Sequence, residues 1–253
     1  MITWTKDQLR VKIYETNLEM GHAAAKDIAA AINRCIREKG EANVIFAAAP
    51  SQNTTLSALL AEPVDWGCVN AFHMDEYIGL PPDSENTFRH YLKTHFFENV
   101  SFRSVHYISS DAEDIGAECA RYASLLERYP TDVVCLGIGE NGHIAFNDPP
   151  VADFDDPLRV KAVELEIRCR IQQVHDGCFP SLEYVPTHAI TLTIPALTAA
   201  TAMFCVVPGT TKANAIYELL TGPIGEHCPA TALRYHSGAI LYCDKESAGK
   251  LEL

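Results

Sequence analysis

Leu136-Gly-Ile-Gly-Glu-Asn-Gly-His-Ile-Ala-Phe-Asn-Asp-Pro-Pro150 begins on the last residue of the apolar run Val133–Leu136. A short apolar run closed by glycine reads as a buried strand. Gly137, Gly139 and Gly142 then let the backbone turn where a Cβ would clash. The turn presents one histidine, His143, among amide and carboxylate side chains. Open α/β sheets bind ligands in such turns, beyond the carboxyl ends of their strands. A second segment of the same kind follows another apolar run: Phe72-His-Met-Asp-Glu-Tyr-Ile-Gly-Leu-Pro81.

Outward from these turns the pattern alternates. Apolar residues at helical spacing (Ala24, Ile28, Ile32, Cys35) predict a helix over 18–39 that Gly40 ends. Strands are predicted at 43–49, 69–74, 104–108, 187–194, 202–207 and 239–243. Helices are predicted at 54–61, 86–97, 111–128, 166–173 and 212–220. Alternation of this kind implies a mainly parallel sheet with helices on both faces. No Gly/Ser-rich linker or repeat divides it, so residues 1–253 are expected to form one domain. The proline- and aspartate-rich stretch 149–160 breaks the rhythm and reads as a solvated loop, a candidate lid.

Composition narrows the function. At 253 residues and 47% hydrophobic, the chain can bury a substantial core. Its formal charge of −13 offers no basic face to nucleic acid or an anionic membrane. No apolar run approaches the roughly 18 residues of a membrane span. The opening Met-Ile-Thr-Trp-Thr-Lys lacks the layout of a signal peptide. The nine cysteines form no C-x-x-C pair, and several (Cys135, Cys205, Cys243) lie in strand-like runs. They read as reduced core thiols of a cytoplasmic protein. Ten histidines include no H-E-x-x-H, and His90 and His95 fall on different sides of a helix, so no metal is expected.

The F-x-M-D-E-Y-x-G-L-P and G-H-I-A-F-N-x-P strings resemble the glucosamine-6-phosphate deaminase (isomerase) family, whose close relative is 6-phosphogluconolactonase. A lactonase is expected to read G-H-T-A-S-L-F-P at the second string, which this chain does not. The resemblance extends from near Val44 to Cys243. It implies a modified Rossmann-like three-layer sandwich and conversion of an amino-sugar phosphate to a ketose phosphate and ammonia, with no cofactor.

Residue by residue, the resemblance gives Asp75 the proton transfer between C2 and C1. A carboxylate shielded at a strand end can have its pKa raised toward a general base's working range. Glu76 beside it is read as structural. The resemblance gives His143 the ring opening, a transfer that an imidazole can perform near neutral pH. Two departures stand beside it. Asn141 replaces the family's common aspartate, and Asp148 replaces its glutamate. Some relatives thought to act on galactosamine 6-phosphate also look like N-G-H here, so the sugar epimer stays open.

Phosphate is expected at two strand-to-helix turns. Ser51, Gln52, Asn53 and Thr54 lie where amides at a helix start would face an anion, although the family's glycines are missing. Simple N-capping explains Ser51 or Thr54 equally. Lys212 matches the family's G-x-x-K. Arg170 is the candidate for a further phosphate-binding arginine, with a surface-helix arginine the plain alternative. Arg159 and Lys161 resemble an allosteric basic pair of hexameric relatives, which leaves a homo-oligomer open. The competing functions are a lactone hydrolase on the same scaffold and a non-catalytic sugar-phosphate sensor. A sensor would carry a helix-turn-helix, whereas the residues before Asn43 read as a single helix.

Overall fold

The computed structural model describes residues 1–252. The chain opens with strands β1 (Ile2–Lys6) and β2 (Leu9–Tyr14), followed by helix α1 (Asn17–Lys39), β3 (Ala42–Phe46), α2 (Asn53–Leu60), β4 (Val69–His73) and β5 (Asp75–Tyr77). Next come α3 (Phe88–Leu92), β6 (Ser104–His106), α4 (Ile115–Arg128), β7 (Val133–Leu136), β8 (Val160–Glu164) and α5 (Ile167–His175). The chain closes with β9 (His188–Leu192), α6 (Ile194–Thr198), β10 (Ala202–Val207), α7 (Ala213–Thr221) and β11 (Ala239–Asp244).

Eight strands form one sheet in the order β1-β2-β11-β10-β7-β3-β4-β6, parallel throughout except for the β1–β2 hairpin. Both faces are covered, as the continuous apolar strands require. Val133 and Cys135 of β7 face a core built with Met20, Ile28 and Ile32 of α1. Val134 and Leu136 face the opposite core, with Leu126 of α4 and Ile216 of α7. The ends of α1 are as its sequence directs. The Thr16 hydroxyl accepts from the Glu19 amide at 3.2 Å, and Gly40 takes a left-handed φ of 80° while donating to Ile36 O.

Two expectations are corrected. Residues before Asn43 are not one helix, because β1 and β2 precede α1, and β2 pairs in parallel with β11. The turn between them is made by Asp7 at φ 52°, a conformation an aspartate tolerates. The predicted strand at 187–194 is also outside the parallel sheet. It becomes β9, the middle of a three-stranded antiparallel sheet ordered β5-β9-β8. There Asp75 lies opposite the fully buried Thr191.

Candidate active site at the strand ends

From β3 the chain steps outward through β4 to β6; from β7 it steps the other way through β10 to β11. The reversal falls between β3 and β7, and a ligand crevice is expected beyond their carboxyl ends. One cleft occupies that place. It is walled by Ala47–Ser51 after β3 and Gly137–Gly139 after β7, with Met74 and Asp75 from the β4–β5 junction. His143, Lys212 and one face of α5 complete it.

His143 is buried and held from behind. Its Nδ1 lies 2.7 Å from Asn141 Oδ1 and 2.9 Å from Asp148 Oδ1. The Asn141 amino group in turn donates to Asp148 Oδ1 (2.9 Å) and Glu166 Oε2 (2.6 Å). Asp148 is fully buried and also accepts the Glu166 amide at 3.2 Å. Burial alone would raise its carboxyl, but the hydrogen bonds from His143, Asn141 and that amide outweigh it and hold the group below the usual carboxylate range. With Nδ1 committed, Nε2 is the nitrogen left for the cleft. Asn141 and Asp148 are brought to His143 rather than to the cleft wall.

Asp75 reaches the cleft from the first residue of β5. Burial, reinforced by the neighbouring Glu76 charge, pushes its carboxyl well above its ordinary value. Glu76 points the other way, into the protein. It accepts the amides of Tyr77 (2.9 Å), Phe88 (3.0 Å) and Arg89 (2.8 Å), anchoring the start of α3. Burial raises Glu76 to about 7, and those three amides oppose the rise. Two adjacent acids thus occupy opposite faces of one short strand. Thr191 Oγ1, across from Asp75, accepts the Phe146 amide at 3.0 Å, so the same residue also holds the His143 turn.

The expected phosphate residues divide. Lys212 is buried at the cleft wall, 5% exposed. Burial lowers its pKa while Asp176 and Glu140 act at a distance to raise it. Among the described residues it makes no ion pair within 4 Å. Ser51 also lines the cleft. Gln52 does not: its amino group donates to Val206 O at 3.1 Å, tying the β3 turn to β10. Asn53 is turned to the Tyr91 hydroxyl. Thr54 packs on Gly21 of α1, where a Cβ would come within 2.7 Å of its methyl.

Arg170 is not brought into the cleft. Its guanidinium donates to Leu182 O (2.9 Å) and Val185 O (2.8 Å), bracing the segment after α5. The residues α5 does present are Gln172, Gln173 and, at its end, Asp176. With the buried Cys169 they make an i, i+3, i+4, i+7 stripe that Arg170 falls beside. That stripe was the available signal in the sequence. Gln172 is fixed, accepting the Glu140 amide at 2.8 Å and donating to Asp176 at 3.1 Å.

The remaining expectations lie away from the cleft. Lys161 pairs with Asp156 at 2.8 Å and Arg159 approaches Glu127 at 3.6 Å, so both basic groups have intrachain partners. The 149–160 stretch contributes nothing to the cleft wall and leads into β8. Among the described residues, one set of three buried metal-ligand types comes together: His143, Asp148 and Cys169, with donor atoms within 4.8 Å of one another. Burial, with the Asp148 charge beside it, pushes the Cys169 thiol far up, so it stands there protonated.

The sequence model for glucosamine-6-phosphate isomerases/6-phosphogluconolactonase matches residues 15–160. A glucosamine-6-phosphate deaminase of Bacillus cytotoxicus is 30% identical over 239 residues, 94% of this chain and 88% of that protein. The chain belongs to this isomerase/lactonase family. A solved structure described as a monomeric glucosamine-6-phosphate deaminase superposes with a TM-score of 0.86 at 31% identity, covering 94% of this chain and 98% of the other. The 6-phosphogluconolactonase of Thermotoga maritima superposes with a TM-score of 0.75 at 19% identity, over 93% and 99% of the two chains. At that identity the likeness is one of fold. The family's α/β architecture, a mostly parallel sheet between helical layers, is therefore shared across both branches.

Proposed function

We propose that this chain is an amino-sugar phosphate deaminase, converting glucosamine 6-phosphate or its galactosamine epimer to the ketose 6-phosphate and ammonia. The observation that carries the reading is the convergence on one cleft of a shielded carboxylate, an imidazole with a free Nε2 and a buried, unpaired lysine. Lys212 would pair with the phosphate, with the Ser51 hydroxyl beside it. His143 Nε2 would take the O1 hydroxyl proton and return it to the ring oxygen, opening the sugar. The free aldehyde acidifies C2. Asp75 would then remove the C2 proton and deliver it to C1, while one proton of the C2 amine passes to O1, leaving a C1 hydroxyl and a C2 imine. Water adds to the resulting C2 imine, and ammonia leaves.

The match to named deaminases over most of the chain, against a likeness of fold alone to lactonases, supports this branch. Nine free cysteines, and no helix long and apolar enough to cross a membrane among the described residues, accord with the cytoplasm. An assay of ammonia and ketose release over glucosamine 6-phosphate, galactosamine 6-phosphate and 6-phosphogluconolactone tests it. Ammonia from either amino sugar is the expected result and assigns the epimer. Lactone hydrolysis without ammonia release would overturn it.

A further inference from the structure

Glu166 holds the N-cap position of α5, yet its carboxylate makes no capping hydrogen bond to that helix. It turns instead toward the His143 turn and accepts from Asn141 Nδ2 at 2.6 Å. Asp148 takes a hydrogen bond from the same amino group at 2.9 Å. A carboxamide has two N–H donors and one carbonyl, so two carboxylates on its nitrogen side decide which way it faces. Rotated by half a turn, Asn141 would aim its oxygen at two anions. It therefore presents Oδ1 to His143, 2.7 Å from Nδ1 and 3.2 Å from the His143 amide. Asp148 Oδ1 stands 2.9 Å from the same nitrogen, so two acceptors converge on Nδ1 and require a proton there.

We propose that Glu166 is a positioning residue: together with Asp148 it locks the Asn141 amide, so that Asn141 Oδ1 joins Asp148 Oδ1 as an acceptor at Nδ1 and His143 is held as the Nδ1–H tautomer with Nε2 toward the cleft. An aspartate at position 141 would need no such lock, because either of its oxygens accepts. An asparagine has one correct orientation, and Glu166 supplies the second acceptor that enforces it. The side chain of Glu166 is 21% exposed, on a cavity of about 390 Å³ behind the turn that Asp148, Glu164 and Arg170 also line. Arg168 approaches it at 3.7 Å, and the Cys169 thiol stands beside His143 and Asp148. These are the charged and titratable groups facing the network from α5 and β8.

The tautomer does not depend on the proposed reaction; its kinetic consequence does. Two measurements separate them. In the free protein, ¹⁵N NMR of the imidazole should show a protonated Nδ1 and an unprotonated Nε2 in the wild type. Glu166→Gln offers its own amide donor to Asn141 Oδ1 and lets the Asn141 amino group turn toward Nδ1, leaving Asp148 as the one acceptor there, so the two ring signals should move toward each other as the second tautomer gains population. On the amino-sugar phosphate, Glu166→Gln should lower kcat by about tenfold or more with KM within about twofold. Asn141→Asp alone should also be slow, because it sets a third acid against Asp148 and Glu166.

The exchanged pair Asn141→Asp/Glu166→Gln restores one amide and one acid, and should return to within about threefold of wild-type kcat. A Glu166→Gln variant whose ring-nitrogen signals are unchanged from wild type overturns the lock, because Asp148 alone would then hold the tautomer. So does an exchanged pair, folded by circular dichroism, that is no faster than the slower single variant. A wild-type protein that releases no ammonia defeats the deaminase reading instead, and the NMR result still decides the role of Glu166.

Discussion

The imidazole of His143 lies face-on against Gly139, in the space a side chain there would fill. A Cβ on Gly139 would come within 2.1 Å of Cε1 and 2.3 Å of each ring nitrogen. The backbone holds the contact, since the Gly139 amide donates to His143 O at 2.9 Å. Gly139 is thus required for closeness rather than for φ, in contrast to Gly142 at φ 84°.

Gly139→Ala should therefore displace the imidazole while leaving the sheet intact. Loss of a positioned acid–base group costs on the order of 10²- to 10⁴-fold. Turnover should fall within that range with only a small change in melting temperature. Steady-state rates and a thermal melt check it; wild-type kcat would show that the imidazole can move aside harmlessly.

Asp75→Asn should abolish ketose formation, by about 10²-fold or more, while phosphosugar binding survives. It should also stabilise the protein at neutral pH. The folded carboxyl is raised above the unfolded value of 3.8, so the wild type is fully stable with respect to this group below that pH and loses stability as pH rises toward the folded value. The amide carries no such cost. Melting temperatures of the two proteins should coincide near pH 3.5 and separate in favour of Asn as pH increases.

Asp148→Asn should behave in the opposite sense. This carboxylate is held below its ordinary range, so its stabilisation is present above 3.8 and lost as pH falls through the folded value. The variant should melt lower than wild type at pH 7, with the gap closing in acid. Turnover should drop by at least about 10²-fold, since no other acid contacts Nδ1 to balance an imidazolium. Rates and melts at two pH values suffice to test both statements.

Lys212→Ala should act on binding. A charge-assisted hydrogen bond to phosphate contributes roughly 1.5–3 kcal/mol, or about 10- to 150-fold in affinity. KM for the phosphorylated sugar should rise by that factor with kcat largely kept. An unchanged KM would put the phosphate elsewhere in the cleft.

What the sequence disclosed follows physical lines. Strands buried on both faces, such as Val133–Leu136 and Ala202–Val207, are continuous apolar runs and are legible from composition alone. Asp75, His143 and Lys212 were visible because each follows such a run at a turn. The hairpin β1–β2 was not, because charged residues alternate with Leu9, Val11 and Ile13 and no continuous apolar run marks it. Strand β5 is three residues long and is formed only by its partner β9. Gln172 and Gln173 carry no charge to draw notice, while Arg170 drew it and points away. Glu166 could be found only in three dimensions, since 25 residues separate it from the amide it holds.

Thr191 joins two walls of the cleft: it faces Asp75 across the small sheet and receives the Phe146 amide from the histidine turn. The spacing between Asp75 and the histidine turn is thereby gauged by one interior strand rather than by the large sheet. The outer strands of the large sheet take no part in that gauge. A single-residue insertion in β9 is another matter. It would reverse which way each later side chain points and pull the two turns out of step, so evolutionary tolerance for length change should vanish there first.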